Sequence, residues 1–422
     1  MRGSDGPGSV TTAIGRGLAA ALAMLLLFAM PVPYVLYEPG MVVPVDEVAA
    51  VETAVPLNPD ASPLPPAQGD ADASPASPDS PDRVSTGVPS DSPDRAAGAP
   101  SDSPDRVSTG VSSDRPDRPS GDASTRTPED QGGWLLTTVY LRERATLWTV
   151  IASAWRTDRE AHARRSVFQG IGEAEYRLRM GVLMAESQAK AQEAAFRAAG
   201  VRYEAVPDGV YVVRSAGRLK AGDRIGAVDG AAVGGLDELS KALRARAGQE
   251  IELTVLRDGR EIGLTLGADE AGAFEGAAGG TAADASRSRL AGAELAEIFD
   301  VRPADPAIRV TIDAGALAGP SAGLALALHI YERIAGESLT GGRRIAATGT
   351  IEPSGDVGAV GGVFMKAIAA SRAGADLFLV PEANLAEAAA GAEAAGGGMA
   401  VAGVNTLEEA LSLLRAGRDS AR

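Results

Sequence analysis

The longest uninterrupted apolar stretch, Gly17 to Tyr37 (GLAAALAMLLLFAMPVPYVLY), carries no charge over 21 residues. At about 1.5 Å per residue, a helix of that length crosses a hydrocarbon core of about 30 Å. Arg2 and Arg16 precede it and Glu38 follows it. Residues 1–16 are therefore expected as a cytoplasmic N-terminus, 17–37 as a transmembrane helix, and the bulk of the chain outside, giving a single-pass cell-membrane protein with an extracytoplasmic body. A cleaved signal peptide shares the charged start and apolar run; the length of the run and the lack of a clear A-x-A site favour an anchor.

From about Asp46 to Gly132 apolar residues thin out and Ser, Pro, Asp, Ala and Gly take over. Ser80-Pro81-Asp82-Arg83 recurs from Ser92 and Ser103, and again as Arg115-Pro116-Asp117-Arg118. Such a segment cannot bury enough surface to fold, and 46–132 reads as a disordered spacer. Periodicity returns at Trp134. Leu135–Leu141 predicts a strand; Leu147, Ile151, Ala154 and Trp155 predict a helix, with His162 in a charged helical stretch beyond it. A second helix is predicted from about Gly172 to Ala199. Residues 134–202 are thus a strand plus a helical segment.

Tyr203–Leu266 has the pattern of a compact β-rich unit, covering 203–267. Strands are predicted at Gly209–Val213 and up to Val228, a helix at Leu236–Ala245, and two strands paired across Asp258-Gly259. With "LKAGDRIGAVDG" at its centre, this unit resembles a PDZ domain. The resemblance implies binding of an extended peptide by strand addition at a sheet edge. A Gly/Ala-rich linker (268–288) leads to a last domain, 289–418. Its alternation predicts strands at Ile308–Ile312, Arg344–Ile351 and Asp376–Val380, and helices at Ala322–Ile334, Phe364–Ala373 and Leu407–Leu414, an α/β pattern. The fold class is multi-domain: transmembrane helix, disordered linker, PDZ-like β-rich domain and C-terminal α/β domain.

Composition narrows the chemistry. The formal net charge is −16 with no Arg/Lys-rich block, which argues against nucleic acid as a partner. Absence of cysteine removes thiol nucleophiles and Cys-ligated zinc, and no metal or organic cofactor is indicated. Histidine occurs only at 162 and 329. Lys190, Lys220, Lys241 and Lys366 are the only lysines among 40 basic residues. A desolvated lysine gives up its proton where arginine does not.

Two features of the last domain go beyond packing. Gly319-Pro320-Ser321-Ala322-Gly323 sits where a loop opens an apolar helix, and Lys366 begins the next helix. A serine there is most often a cap. Flanking glycines also permit close substrate approach, and backbone N–H groups around Gly319, Pro320 and Ala322 are candidates for stabilising an oxyanion. Serine needs a base. His329 lies eight residues along the same helix, about 12 Å away, and His162 lies outside the domain. Lys366, among apolar neighbours, qualifies as a base if desolvation lowers its pKa; a lysine snorkelling from an exposed helix is the alternative reading of the same residues.

Residues 306–384 resemble the proteolytic domain of the Lon (endopeptidase La) family through "GPSAGLALAL", "TGTIEPSGDVGAVGGVFMKAIAASRAGA" and "FLVPEAN". The resemblance implies that Ser321 and Lys366 are a catalytic dyad and that Thr348 helps to orient the lysine. It also implies ring-forming homo-oligomers and peptide-bond hydrolysis. The order of segments resembles a membrane-bound, PDZ-containing bacterial branch of that family. Ala318 stands where ATP-dependent members usually have aspartate. A G-x-x-x-x-G-K-[ST] phosphate loop cannot be built, since no lysine follows a glycine, so this chain alone does not drive unfolding with ATP. Protein or peptide substrates should then be unfolded segments, with the PDZ module presenting them. The alternative is a membrane-tethered PDZ scaffold or quality-control adaptor whose protease-like domain mainly binds.

Overall fold

A computed structural model of the chain describes residues 18–19, 22, 24–53, 132–275 and 288–419. The expected cytoplasmic N-terminus (1–16) and the Ser-Pro-Asp-Arg repeats of the spacer lie outside the described residues. Residues 24–29 are helical. They lead into β1 (Tyr34–Pro44), a 3-10 turn at Val45–Glu47 and β2 (Ala49–Thr53). Next come β3 (Trp134–Arg142), α1 (Leu147–Ser153), β4 (Glu160–Ala163), α2 (Arg164–Phe168) and the long α3 (Glu173–Ala198). The β-rich unit supplies β5 (Tyr203–Arg214), β6 (Arg224–Val228), β7 (Ala231–Ala232), α4 (Leu236–Ala245), β8 (Ile251–Arg257) and β9 (Arg260–Leu266). It is extended by α5 (Ala268–Gly272), β10 (Phe274–Glu275), β11 (Arg289–Leu290) and β12 (Ala293–Pro303). The C-terminal part adds β13 (Ile308–Ile312), α6 (Gly323–Ala335), β14 (Ile345–Ala347), β15 (Thr350–Ile351), β16 (Val357–Gly358) and α7 (Val363–Arg372). It ends with β17 (Leu377–Pro381), α8 (Leu385–Ala394), β18 (Ala400–Val404) and α9 (Leu407–Asp419).

Two sheets organise these elements. The first runs β18-β17-β14-β3-β1-β4. Its C-terminal strands are parallel, β14 pairs parallel with β3, and β3 pairs antiparallel with β1. Strands buried on both faces read as continuous apolar runs, and Leu377–Pro381 is buried throughout. The segment read as a separate strand-plus-helix piece thus supplies the middle of the C-terminal domain's sheet. Helix α3 packs beside α6, with Ala191, Ala194, Ala195 and Phe196 in one core with Leu324, Leu328 and Ile330. The second sheet runs β10-β11-β12-β5-β6-β8-β9, with α4 closing a separate core of Val210, Ile225, Leu239, Leu243 and Leu253. Asp258 (φ 50) and Gly259 (φ 74) make the tight β8–β9 turn as predicted.

Several expectations are corrected. The 17–37 span does not end as a helix: from Tyr34 the chain is β1, because Val35 and Leu36 are fully buried in the sheet. Among the described residues no helix is long and apolar enough to cross a membrane. The spacer starts later than Asp46, since β2 pairs with β13 and Val48, Ala49 and Val51 enter the core. His162 lies on strand β4, not a helix, opposite Val35. The 268–288 linker begins with ordered structure, α5 and β10, and its residues 276–287 lie outside the described ones.

His329 ties the N-terminal strands to the domain. Buried on α6, its Nε2 lies 3.0 Å from the carbonyl oxygen of Ala49, and burial lowers its pKa. A neutral ring donating to that carbonyl satisfies both groups. His329→Leu leaves the buried carbonyl of Ala49 unpartnered, and urea denaturation should show a loss of about 1–3 kcal/mol.

Candidate active site

The Gly319–Gly323 loop is built around backbone positions that its glycines permit. Gly319 adopts φ 96 and ψ 158, a left-handed region closed to side chains with a Cβ. Pro320–Ala322 then form a 3-10 turn that continues into α6. Gly323 is needed for a different reason. A Cβ there would lie 2.9 Å from Ile351 Cγ2 and 3.0 Å from Ser187 Oγ, so only a bare backbone fits between β15 and α3.

Helix α3 holds this loop from both sides of Pro320. The Gly319 N–H donates to the Met180 carbonyl at 3.0 Å, and Ser187 Oγ donates to the Pro320 carbonyl at 3.0 Å. Two of the three backbone positions expected to bind an oxyanion are thereby corrected. Gly319 has committed its N–H to Met180, and proline has none to give. Ala322 keeps the role open.

Thr348 sits between β14 and β15, fully buried, with its N–H on Leu379 O at 3.0 Å. Its hydroxyl accepts a bond from Lys366 Nζ at 3.0 Å and donates to the Ser321 carbonyl at 3.2 Å. The Gly349 N–H donates to that same carbonyl at 3.0 Å. Thr348 therefore links the Ser321 loop to the lysine through one oxygen. Lys366, the fourth residue of α7, is only 4% exposed among Val363, Met365 and Ala367. Burial lowers its pKa from 10.5 to about 8, and the negative charge of Glu387 opposes the shift only in part.

The other lysines differ. Burial disfavours the Lys190 ammonium too, but its bridges to Glu186 (3.1 Å) and Glu352 (2.9 Å) outweigh this and raise its pKa. Lys220 and Lys241 are exposed. Among the described residues no group of three His, Asp or Glu side chains could hold a metal ion.

Ser321, half-buried, and Lys366 line one cleft of about 700 Å³. Ala318 is exposed on the same wall, as part of the Ala316–Pro320 rim. The opposite wall comes from Tyr37 and Met41 of β1 and Val139 and Tyr140 of β3, which sequence reasoning did not assign to the site. Val139 and Tyr140 fall in the strand that the pattern predicts, but no motif marks them, and Tyr37 was hidden in the apolar run. Asn384 also escaped notice. Its Oδ1 accepts from the Val360 N–H at 2.9 Å and its Nδ2 donates to Val360 O at 3.1 Å, fixing the cleft rim.

A buried lysine–threonine pair tied to the half-buried serine of a helix-opening G-P-S-A-G loop marks a class of proteolytic domain. Residues 282–415 match the Lon protease (S16) C-terminal proteolytic domain, and residues 198–266 match the PDZ domain. The chain thus carries a Lon-type proteolytic domain and, ahead of it, a PDZ domain. No curated protein matches it as a relative.

The lysine environment has a consequence for stability that does not depend on catalysis. The folded state binds the Lys366 proton less tightly than the unfolded chain, so the penalty is fully present below about pH 8 and is relieved as pH rises towards 10.5. Lys366→Met should therefore be more stable than the parent by up to about 3 kcal/mol at neutral pH. In chemical denaturation the gap should narrow above pH 8; a pH-independent difference would contradict the assignment.

Proposed function

We propose that the chain is an ATP-independent, membrane-anchored serine endopeptidase that hydrolyses peptide bonds in unfolded or extended segments with Ser321 and Lys366. The carrying observation is the buried Lys366 amine, bound to Thr348 at 3.0 Å in the cleft that also holds Ser321. A pKa near 8 leaves a working fraction of the amine neutral at physiological pH. In this reading the neutral Nζ accepts the Ser321 proton as Oγ attacks the scissile carbonyl. The backbone N–H at Ala322, at the start of α6, is the candidate donor to the oxyanion. Collapse breaks the C–N bond while the lysine ammonium protonates the leaving amine. Lys366 then deprotonates the water that cleaves the acyl-enzyme ester. Thr348 is a positioning residue: its hydroxyl accepts from Nζ and fixes the direction of the amine.

The matched PDZ domain supports delivery of an extended peptide to this cleft. The charge-free run from Gly17, flanked by Arg16, supports an anchor. Assembly into a homo-oligomer is part of the same proposal, on the strength of the Lon-type match alone.

The full-length chain is the reagent of choice, because β1 and β3 are part of the domain. Ser321→Ala and Lys366→Ala should abolish cleavage of unfolded casein without added nucleotide; retained cleavage in either would overturn the dyad. In the parent, kcat/KM should rise about tenfold per pH unit below about 8 and level off above it, since only the neutral amine is a base. Thr348→Val keeps the shape and removes the hydroxyl. It should lower kcat about 100-fold with KM little changed, whereas a merely structural role would show instead as lost stability with normal kcat in the folded fraction.

A further inference from the structure

The short helix α1 presents apolar surface to solvent. Trp148 is 55% exposed and Trp155, just past its end, is 77% exposed, while Leu147, Val150 and Ile151 are only half-buried. Neither the catalytic cleft nor the PDZ core uses this face. It adjoins the apolar N-terminal segment directly. Phe28 meets Trp148 edge-to-face at 5.5 Å, the Leu147 N–H donates to Met30 O at 3.0 Å, and the Val32 N–H donates to Ala145 O at 3.0 Å. Leu18, Leu22, Met24, Leu25, Leu26 and Leu27 of that segment are all more than half exposed.

Charge singles out the same place. In a chain of net charge −16, residues 142–165 hold six arginines against three acidic residues, and Arg142, Arg144, Arg156 and Arg165 are exposed. Exposed tryptophans bordered by arginines and continuous with an apolar helix match the polar–apolar boundary of a bilayer with anionic headgroups. Strand β1 starts four residues after Met30 and carries Tyr37 and Met41 into the cleft. At about 3.3 Å per residue, Tyr37 lies within about 25 Å of the apolar segment's end.

We propose that α1 is a second membrane contact: an interfacial foot in which Trp148 and Trp155 insert at headgroup level beside the anchor. The foot holds the cleft at the bilayer surface, so the segments that reach Ser321 are those just emerging from the membrane. This rests on the anchoring and endopeptidase reading above.

The full-length chain, reconstituted into phosphatidylcholine–phosphatidylglycerol vesicles with bromine-labelled acyl chains, tests the foot without reference to activity. Tryptophan emission should be quenched by the labelled lipid. The quenching should vanish in the Trp148→Phe/Trp155→Phe double variant, which keeps only Trp134, 2% exposed in the core. A chain that fails to float with vesicles overturns the anchor itself. Flotation without quenching overturns the foot alone, including the case in which a second copy or another protein covers α1. With single-span reporter substrates, Trp148→Asp/Trp155→Asp should lower cleavage beside the membrane about tenfold or more through lost local concentration, and leave soluble casein cleavage unchanged. Equal loss on casein, or no loss beside the membrane, overturns the link to substrate choice.

Discussion

Enclosure of the Lys366 ammonium is the constraint to which the surrounding structure answers. An amine on the fourth residue of a helix would ordinarily reach water; here Val363, Met365 and Ala367 of the same helix, all buried, keep it dry. A group so placed needs a partner that tolerates both protonation states. A threonine hydroxyl does so. Accepting from the amine leaves its proton free for the Ser321 carbonyl, and the loop position becomes tied to the lysine position. A carboxylate in that place would have held the ammonium charged. Glu387 is near enough to oppose the shift, yet its carboxylate oxygens bind the Phe364 N–H and the Asn384 amide.

Helix α3 is the second organising element. Its middle holds the Gly319–Gly323 loop through Met180 and Ser187, and its C-terminal half packs in the core it shares with α6. Nearer its start, Glu175 accepts from the Ser215 N–H at 2.8 Å and Arg179 pairs with Glu294 of β12 at 3.9 Å. One helix thus touches both the PDZ-side sheet and the loop bearing Ser321. Its buried positions are mostly Ala and Ser with a few larger residues, which lets it lie close to both neighbours.

What could be read from the chain followed the range of the interactions involved. The β8–β9 hairpin and α4 were legible because alternation, amphipathic spacing and an Asp-Gly turn are local signals. Ser321 and Lys366 were legible as residue types in a suggestive setting and Thr348 only through the family resemblance; the structure brings the first two to one cleft and bonds Thr348 to Lys366 behind it. The Gly319 contribution was misjudged because the fate of an N–H depends on which carbonyl faces it, and Met180 lies far away in sequence; Pro320 has no N–H, which its residue type alone already shows. Strand β1 was hidden for a related reason. Val35 and Leu36 continue an apolar run, and nothing local separates a buried strand from the end of a membrane helix. α8 and β18 passed unnoticed in Ala- and Gly-rich sequence with weak periodicity, and β12 was missed although it carries Leu295, Ile298, Phe299 and Val301.

The strand order of the first sheet has a consequence for biogenesis. β3 lies between β1, which precedes the long spacer, and β14, which follows the whole PDZ-side sheet. Its N-terminal neighbours leave the ribosome early, but the parallel partner that completes the sheet arrives only after about 200 further residues, many seconds later at usual rates of synthesis. Non-local pairings of this kind form slowly. The PDZ-side hairpins can close in the interval, while Thr348 and Lys366 are still to be synthesised. A chain interrupted before β14 therefore emerges with its PDZ-side sheet complete and without Thr348 and Lys366, so the contacts that tie the lysine to the Ser321 loop form only when translation is nearly complete.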